Sequence, residues 1–252
     1  MVGALALAFA ACANLTASSE GLLSGLTDGQ EIAARLRAQR PAENSEINGL
    51  LKIRDGDGKR TTLPLKVTTV LGESSWRIVY DAHPADPKAA ARLTVIHADN
   101  QSPRYQLEGA GAPTPSSISP TPLNGDHAMV PFANTDFWLA DLGLQFLYWP
   151  EQRLVPDAKI TMRKSTPCKV LDSLNPRASD TGYTRVRSWV AIENGGLVYA
   201  EAYDYHHKLL KVFEISNVEK VNGHWELKEM KIRNEQTDSV TRLEFDLKVE
   251  SP

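Results

Sequence analysis

From Lys159 to Val249 the chain repeats one unit, a strand-like run followed by a short polar turn. The runs are Lys159 to Arg163, Cys168 to Leu174, Tyr183 to Ile192, Leu197 to Tyr205, Leu209 to Asn217, His224 to Arg233 and Val240 to Val249. Between them lie Asn175-Pro176, Asn194-Gly195-Gly196, Asn222-Gly223 and the polar stretch Glu235 to Asp238. Asn-Gly flanked by apolar alternation is the strongest two-residue hairpin signal, because both central residues of the turn need positive φ. Strands joined by such short turns pair with their neighbours, so the pattern predicts one antiparallel sheet. In the last run Leu243, Phe245 and Leu247 alternate with Arg242, Glu244 and Asp246, as in a sheet with one buried and one wet face.

The first half adds more strands. Glu46 to Arg54 runs into Asp55-Gly56-Asp57-Gly58, a hairpin turn, and Thr62 to Leu71 alternates through Leu63, Leu65, Val67 and Thr69. Pro64 in that run predicts an edge or a bulge. Trp76, Ile78 and Tyr80 alternate next, and Arg92 to Ala98 and Arg104 to Glu108 read as two further strands. About a dozen strands cannot stay flat and open, so the sheet must curl. Asp28 to Arg40 is the clearest helix, with Ile32, Ala33 and Leu36 on one face, Glu31 completing a capping box and Pro41 beyond its end. The fold class is therefore mainly β, a single curved antiparallel sheet covered by a few helices. At 252 residues and 42% hydrophobic, one such core is affordable.

Residues 1–17 read as a leader, 18–45 as a helical segment packing on the sheet and 46–252 as the curved-sheet domain. Val2 to Ala11 is uncharged and too short to span a bilayer, which fits the apolar part of a signal peptide. Two processing readings stay open: cleavage at a small-residue site, or lipidation of Cys12 after Phe9-Ala10-Ala11. The soluble exported form is preferred, because Phe9 sits where a lipidation motif has leucine. Once the leader is removed Cys168 has no partner for an internal disulfide. Net charge is −3 with no basic block, which gives a nucleic-acid partner no electrostatic support.

Motifs of chemistry are missing. There is no G-x-S-x-G, and Cys168 sits mid-strand as a buried inert thiol. His206 and His207 are adjacent and lack the spaced partners of a metal site, and the Asp55 turn lacks the late carboxylate of a calcium loop. No catalytic residue, metal or cofactor is assigned.

What stands out is NTDFWLADLGLQFLYWP, Asn134 to Pro150, with five aromatics and only Asp136 and Asp141 charged. Thr135 to Leu142 predicts a short helix with Trp138, Leu139 and Leu142 on one face, Asp136 at its positive end and Gly143 as its stop. Leu144 to Trp149 predicts a strand apolar on both faces, which must be covered on both. The Pro-, Gly- and Ser-rich stretch Gly109 to Gly125 before it predicts a long loop.

This stretch, extended to Val155, resembles the signature of the LolA/LolB-like outer-membrane lipoprotein-sorting family, in the subgroup with a DFWLxDLGLxFLxWP run. Pro167 to Pro176, Gly182 to Val190, Gly195 to Glu214 and Val221 to Leu247 continue the likeness. The resemblance implies a half-barrel plugged by helices, with an apolar cavity that receives acyl chains of lipoproteins or lipids. It implies a periplasmic, non-enzymatic carrier, loaded by an inner-membrane complex. Trp76, Tyr80, Phe137, Trp138, Leu142, Phe146 and Trp149 are the expected lining residues. Alternatives are a non-catalytic envelope module with a filled barrel, a lipid or lipoprotein hydrolase, and an outer-membrane form anchored through Cys12.

Overall fold

The computed structural model describes residues 28–83, 90–99, 101–109, 123, 125–155, 161–221 and 224–247. The stretch 1–17 read as a leader, with Cys12, most of the stretch Gly109 to Gly125 read as a loop and the Asn222-Gly223 pair lie outside the described residues.

Thirteen strands form one antiparallel sheet. They are β1 (Ser45–Arg54), β2 (Arg60–Leu71), β3 (Ser75–Ala82), β4 (Ala91–Ala98), β5 (Gln101–Gly109), β6 (Glu151–Leu154), β7 (Thr161–Arg163), β8 (Thr166–Leu174), β9 (Arg185–Ala191), β10 (Leu197–Tyr203), β11 (Leu209–Val221), β12 (His224–Asn234) and β13 (Ser239–Phe245). The order across the sheet is β5-β4-β3-β2-β1-β13-β12-β11-β10-β9-β8-β6, with β7 beside β8. Chain neighbours are sheet neighbours almost throughout, as short turns dictate. The exceptions are the central pairing of β1 with β13 and that of β6 with β8.

Local chemistry makes the turns. Asp55 Oδ1 accepts from the backbone N–H of Asp57 and Lys59, Gly58 takes φ 85°, and Arg54 then pairs with Arg60. Asp204 does the same for His206 and Lys208, so the His206-His207 pair is a turn with His207 at φ 59°. Pro64 makes no bulge; its register with β1 is continuous. It sits where the β2–β3 ladder ends, accepting from His83 N–H at 2.9 Å, so its missing donor costs no interior rung.

One face of the sheet is buried. Leu51, Leu65, Val67, Ile78, Leu93, Val95, Met230, Ile232, Leu243 and Phe245 point inward, while Lys52 and Glu244 pair on the outside at 2.5 Å. A helix, α1 (Asp28–Arg37), covers one end of the buried face and buries Gly29, Ala33 and Leu36, at i, i+4 and i+7. Gly29 is there for contact: a Cβ would stand 2.5 Å from the carbonyl oxygen of Gln152 on β6. Beyond α1, the Arg40 guanidinium lies over the Trp76 ring, and Trp76 stacks on His97 at 4.9 Å.

His97 is 8% exposed, and burial pushes its imidazole down to about 4. A depressed folded value means stability that is present above the unfolded pKa and lost as pH falls toward the folded one. Acidification from pH 6.5 to 4 is expected to remove about 3 kcal/mol through this residue. Urea unfolding of wild type and His97→Phe at pH 7 and pH 4.5 checks it. The variant should lose markedly less on acidification.

On the outer face Cys168 packs with Val170 and Trp189, and the Arg163 guanidinium lies over Trp189 and Tyr199 at 4.4 and 4.2 Å. Burial pushes the Cys168 thiol up, the opposite of an activated nucleophile.

Candidate functional site

The segment from Gly125 to Pro150 plugs the buried face. Two of its expected elements differ. Helix α2 is confined to Leu139–Leu142, and Leu144 to Trp149 is no strand but a 3₁₀ turn at Gln145–Tyr148. Leu144 takes φ 51°, which breaks any extended run. The Gln152 amide then donates to the carbonyls of Phe146 and Trp149 at 3.0 and 2.9 Å, satisfying backbone groups that a sheet would have paired. Apolarity on both faces has another cause: the turn touches β5 on one side and β8 and α1 on the other. It fills the space between the two ends of the curled sheet.

Asp136 is not a helix-dipole charge. It precedes α2, and its carboxylate accepts from the hydroxyls of Ser239 and Thr241 on β13, while its backbone N–H donates to Thr241 Oγ1 at 2.9 Å. Asp141 accepts from Trp138 N–H at 2.8 Å and from the Tyr183 hydroxyl at 3.0 Å. Gly143 takes φ −101°, not the left-handed value of a glycine stop. Its lack of a side chain makes room instead, since a Cβ would stand 2.3 Å from the Tyr105 hydroxyl on β5.

Lys211, on β11, is the residue the sequence reading passed over. Its side chain is 2% exposed. Nζ donates to the Asp136 carbonyl oxygen at 2.7 Å, lies 3.6 Å from the centre of the Trp138 ring and is 3.5 Å from Asp141 Oδ2. Trp138 in turn stacks on Tyr183 at 4.5 Å. Burial pushes the Lys211 ammonium down to about 8, against the pull of Asp141 and Asp136. The signal was in the register, because Lys211 shares its inward parity with Phe213 and Ile215.

Beside this cluster is a cavity of about 30 Å³, lined by Asp141, Tyr183 and Lys211 at its polar end and by apolar residues including Leu144, Phe146, Ala200 and Ile232. Of the expected lining residues, Phe146 is on this wall. Phe137, Leu142 and Trp149 are buried in the plug, and Trp138 stacks against the lysine cluster. Tyr80 packs edge-on to Phe132 at 6.2 Å, and Trp76 stands apart with His97. Among the described residues no group of three or more His, Cys, Asp or Glu is placed to hold a metal ion, and no helix is long and apolar enough to cross a membrane.

A curled open sheet with a plug pinned across its buried face is a LolA-like half-barrel. The chain belongs to the family whose model carries the description "Uncharacterized protein" and matches residues 114–250, more than half its length. No curated protein matches. Among solved structures it is similar to a DUF1329 family protein from Desulfovibrio piger, with TM-score 0.68 and 19% identity over 86% of this chain and 90% of that one. A putative outer membrane lipoprotein-sorting protein domain from Vibrio parahaemolyticus matches at TM-score 0.68 and 17% identity, over 87% and 90%. A LolA superfamily protein from Nitrosomonas europaea matches at 0.57 and 16%, over 90% and 96%. At these identities the likeness is one of fold.

Proposed function

We propose that the chain is a non-catalytic envelope carrier for acylated ligands, of the lipoprotein-sorting kind, exported by the leader in residues 1–17 and loaded at the inner membrane. The observation that carries this is the construction of the plug. Its polar ties to the sheet gather at Asp136, Asp141 and Lys211, while most side chains beneath it, Leu93, Val95, Met230 and Ile232 among them, are apolar. Displacing it exposes an apolar trough. Each methylene moved there gains about 0.8 kcal/mol, so a palmitoyl chain gains on the order of 10 kcal/mol before the costs of opening and ordering. A cavity holding one benzene takes roughly 150 Å³, so the cavity beside Lys211, at about 30 Å³, admits an acyl chain only when the plug moves. Phe137, Trp138, Leu142, Phe146 and Trp149 then line the opened trough from the plug side, with Tyr80 and Trp76 on the sheet.

A second reading rests on the same small cavity: an envelope interaction module whose interior stays filled. Native mass spectrometry of protein purified from an exporting host, with and without added acylated peptide, separates the two. Carriage predicts adduct masses of acyl ligands. A single apo mass that ignores the peptide leaves the filled module.

A further inference from the structure

Two phenol hydroxyls under the plug are left without a partner among the described residues. Tyr80 on β3 is 1% exposed and Tyr105 on β5 is fully buried, and neither hydroxyl makes a hydrogen bond to any of those residues. A buried hydroxyl with no acceptor is costly, and replacing it with a bare ring removes the cost. The chain instead keeps both and gives one of them space. Gly143 on the plug has an ordinary negative φ that any residue adopts, yet a Cβ there would meet the Tyr105 hydroxyl at 2.3 Å. Both rings belong to the buried core, on strands separated by β4 alone and two residues apart in register.

We propose that the Tyr80 and Tyr105 hydroxyls are the polar end of the ligand site and receive an uncharged carbonyl, the ester or amide that joins an acyl chain to its carrier. This rests on the carrier reading above and names the ligand's head. Both phenols are donors, and burial holds both protonated and neutral. The other ionisable groups acting on Tyr105 are Asp141 and Tyr148, both acidic. Lys211 is committed to the Asp136 carbonyl, and the Arg37 guanidinium to the Leu147 carbonyl. A free carboxylate would meet negative charge without a counter-ion, whereas a neutral carbonyl meets two donors. Plug displacement lifts Gly143 off Tyr105 and opens the recess toward the trough, so the chain and its carbonyl enter together.

The test is displacement of a fluorescent acyl probe from the delipidated full chain by monopalmitoylglycerol, N-palmitoylethanolamine and palmitate at one pH. The ester and the amide are expected to displace it at about tenfold lower concentration than palmitate, the worth of one good hydrogen bond. Whichever of the two is tighter identifies the linkage. Tyr80→Phe/Tyr105→Phe should erase that preference while melting no earlier than wild type, and Tyr105→Phe alone should weaken it severalfold if the double variant folds poorly. An unchanged preference in the variants, or palmitate binding tightest, overturns the assignment while leaving carriage intact. Failure of all three to displace the probe removes the carrier reading and this one with it.

Discussion

Lys211→Ala is expected to lower folding stability by about 3–5 kcal/mol, the usual cost of removing one partner from a buried charged network. The reason is what it leaves behind. The Asp136 carbonyl, which accepts from Nζ at 2.7 Å, loses its donor, and the Asp141 carboxylate loses the only cation placed against it among the described residues. The Trp138–Tyr183 stack also loses the ammonium over its outer ring. The 3.5 Å separation from Asp141, against 2.7 Å to the Asp136 carbonyl, shows that the carbonyl holds the ammonium more closely than the carboxylate does. Lys211→Met, which keeps the stem, should cost less than Lys211→Ala, and Asp141→Asn added to Lys211→Met should restore part of the loss, because one of the two carboxylates that act on Nζ is then neutral. Urea unfolding of the three variants gives the order. If Lys211→Ala costs under 1 kcal/mol, the plug is not held by this residue. A plug loosened in this way should also be cut faster by protease between Gly125 and Pro150 under native conditions, which separates local opening from global loss.

The turns were legible because each is made by its own residues. Asp55 with Gly58, Asn194 with Gly195 and Asp204 with His207 carry their geometry in four or five positions. The inward and outward faces were legible for a similar reason, since alternation at Leu243 and Phe245 survives any tertiary arrangement. The plug was not. Leu144 to Trp149 is apolar apart from Gln145, and a run with no clear polar face fits a strand or a 3₁₀ turn equally well. What decides between them is Gln152, whose side chain takes the Phe146 and Trp149 carbonyls, and the positive φ at Leu144; neither has a local signature. Asp136 was read as a dipole charge because its acceptor role depends on Ser239 and Thr241, over a hundred residues away. Lys211 was passed over because lysine in a strand is normally solvated, although its parity with Phe213 placed it inside. The pins that hold the plug come from β11 and β13, strands read only for their turns and alternation.

Trp149→Ala is expected to cost about 3–5 kcal/mol, as a large aromatic removed from a packed core does. Trp149 is 8% exposed, belongs to the main core, and is absent from the wall of the cavity beside Lys211. Its backbone is fixed as well, because the Gln152 amide that binds its carbonyl is itself oriented by the Ser173 hydroxyl, which donates to Gln152 Oε1 at 2.7 Å. The site is thus poorly able to collapse around a missing indole, and the upper part of the range applies. Phe146 provides the contrast. Its ring borders existing empty space, so it has fewer contacts to lose on that side. Phe146→Ala should therefore destabilise less than Trp149→Ala, and it should enlarge the cavity toward the volume an apolar ligand fills without moving the plug. In a carrier the two changes diverge: Phe146→Ala binds an acyl probe more tightly than wild type, while Trp149→Ala shifts the urea midpoint and, because the indole meets ligand only at the edge of the opened trough, lowers affinity by no more than a few fold at matched folded fraction. Should Trp149→Ala cost under 1 kcal/mol and weaken acyl binding instead, the indole faces ligand rather than protein, and the interior is open in solution in a way the closed form conceals.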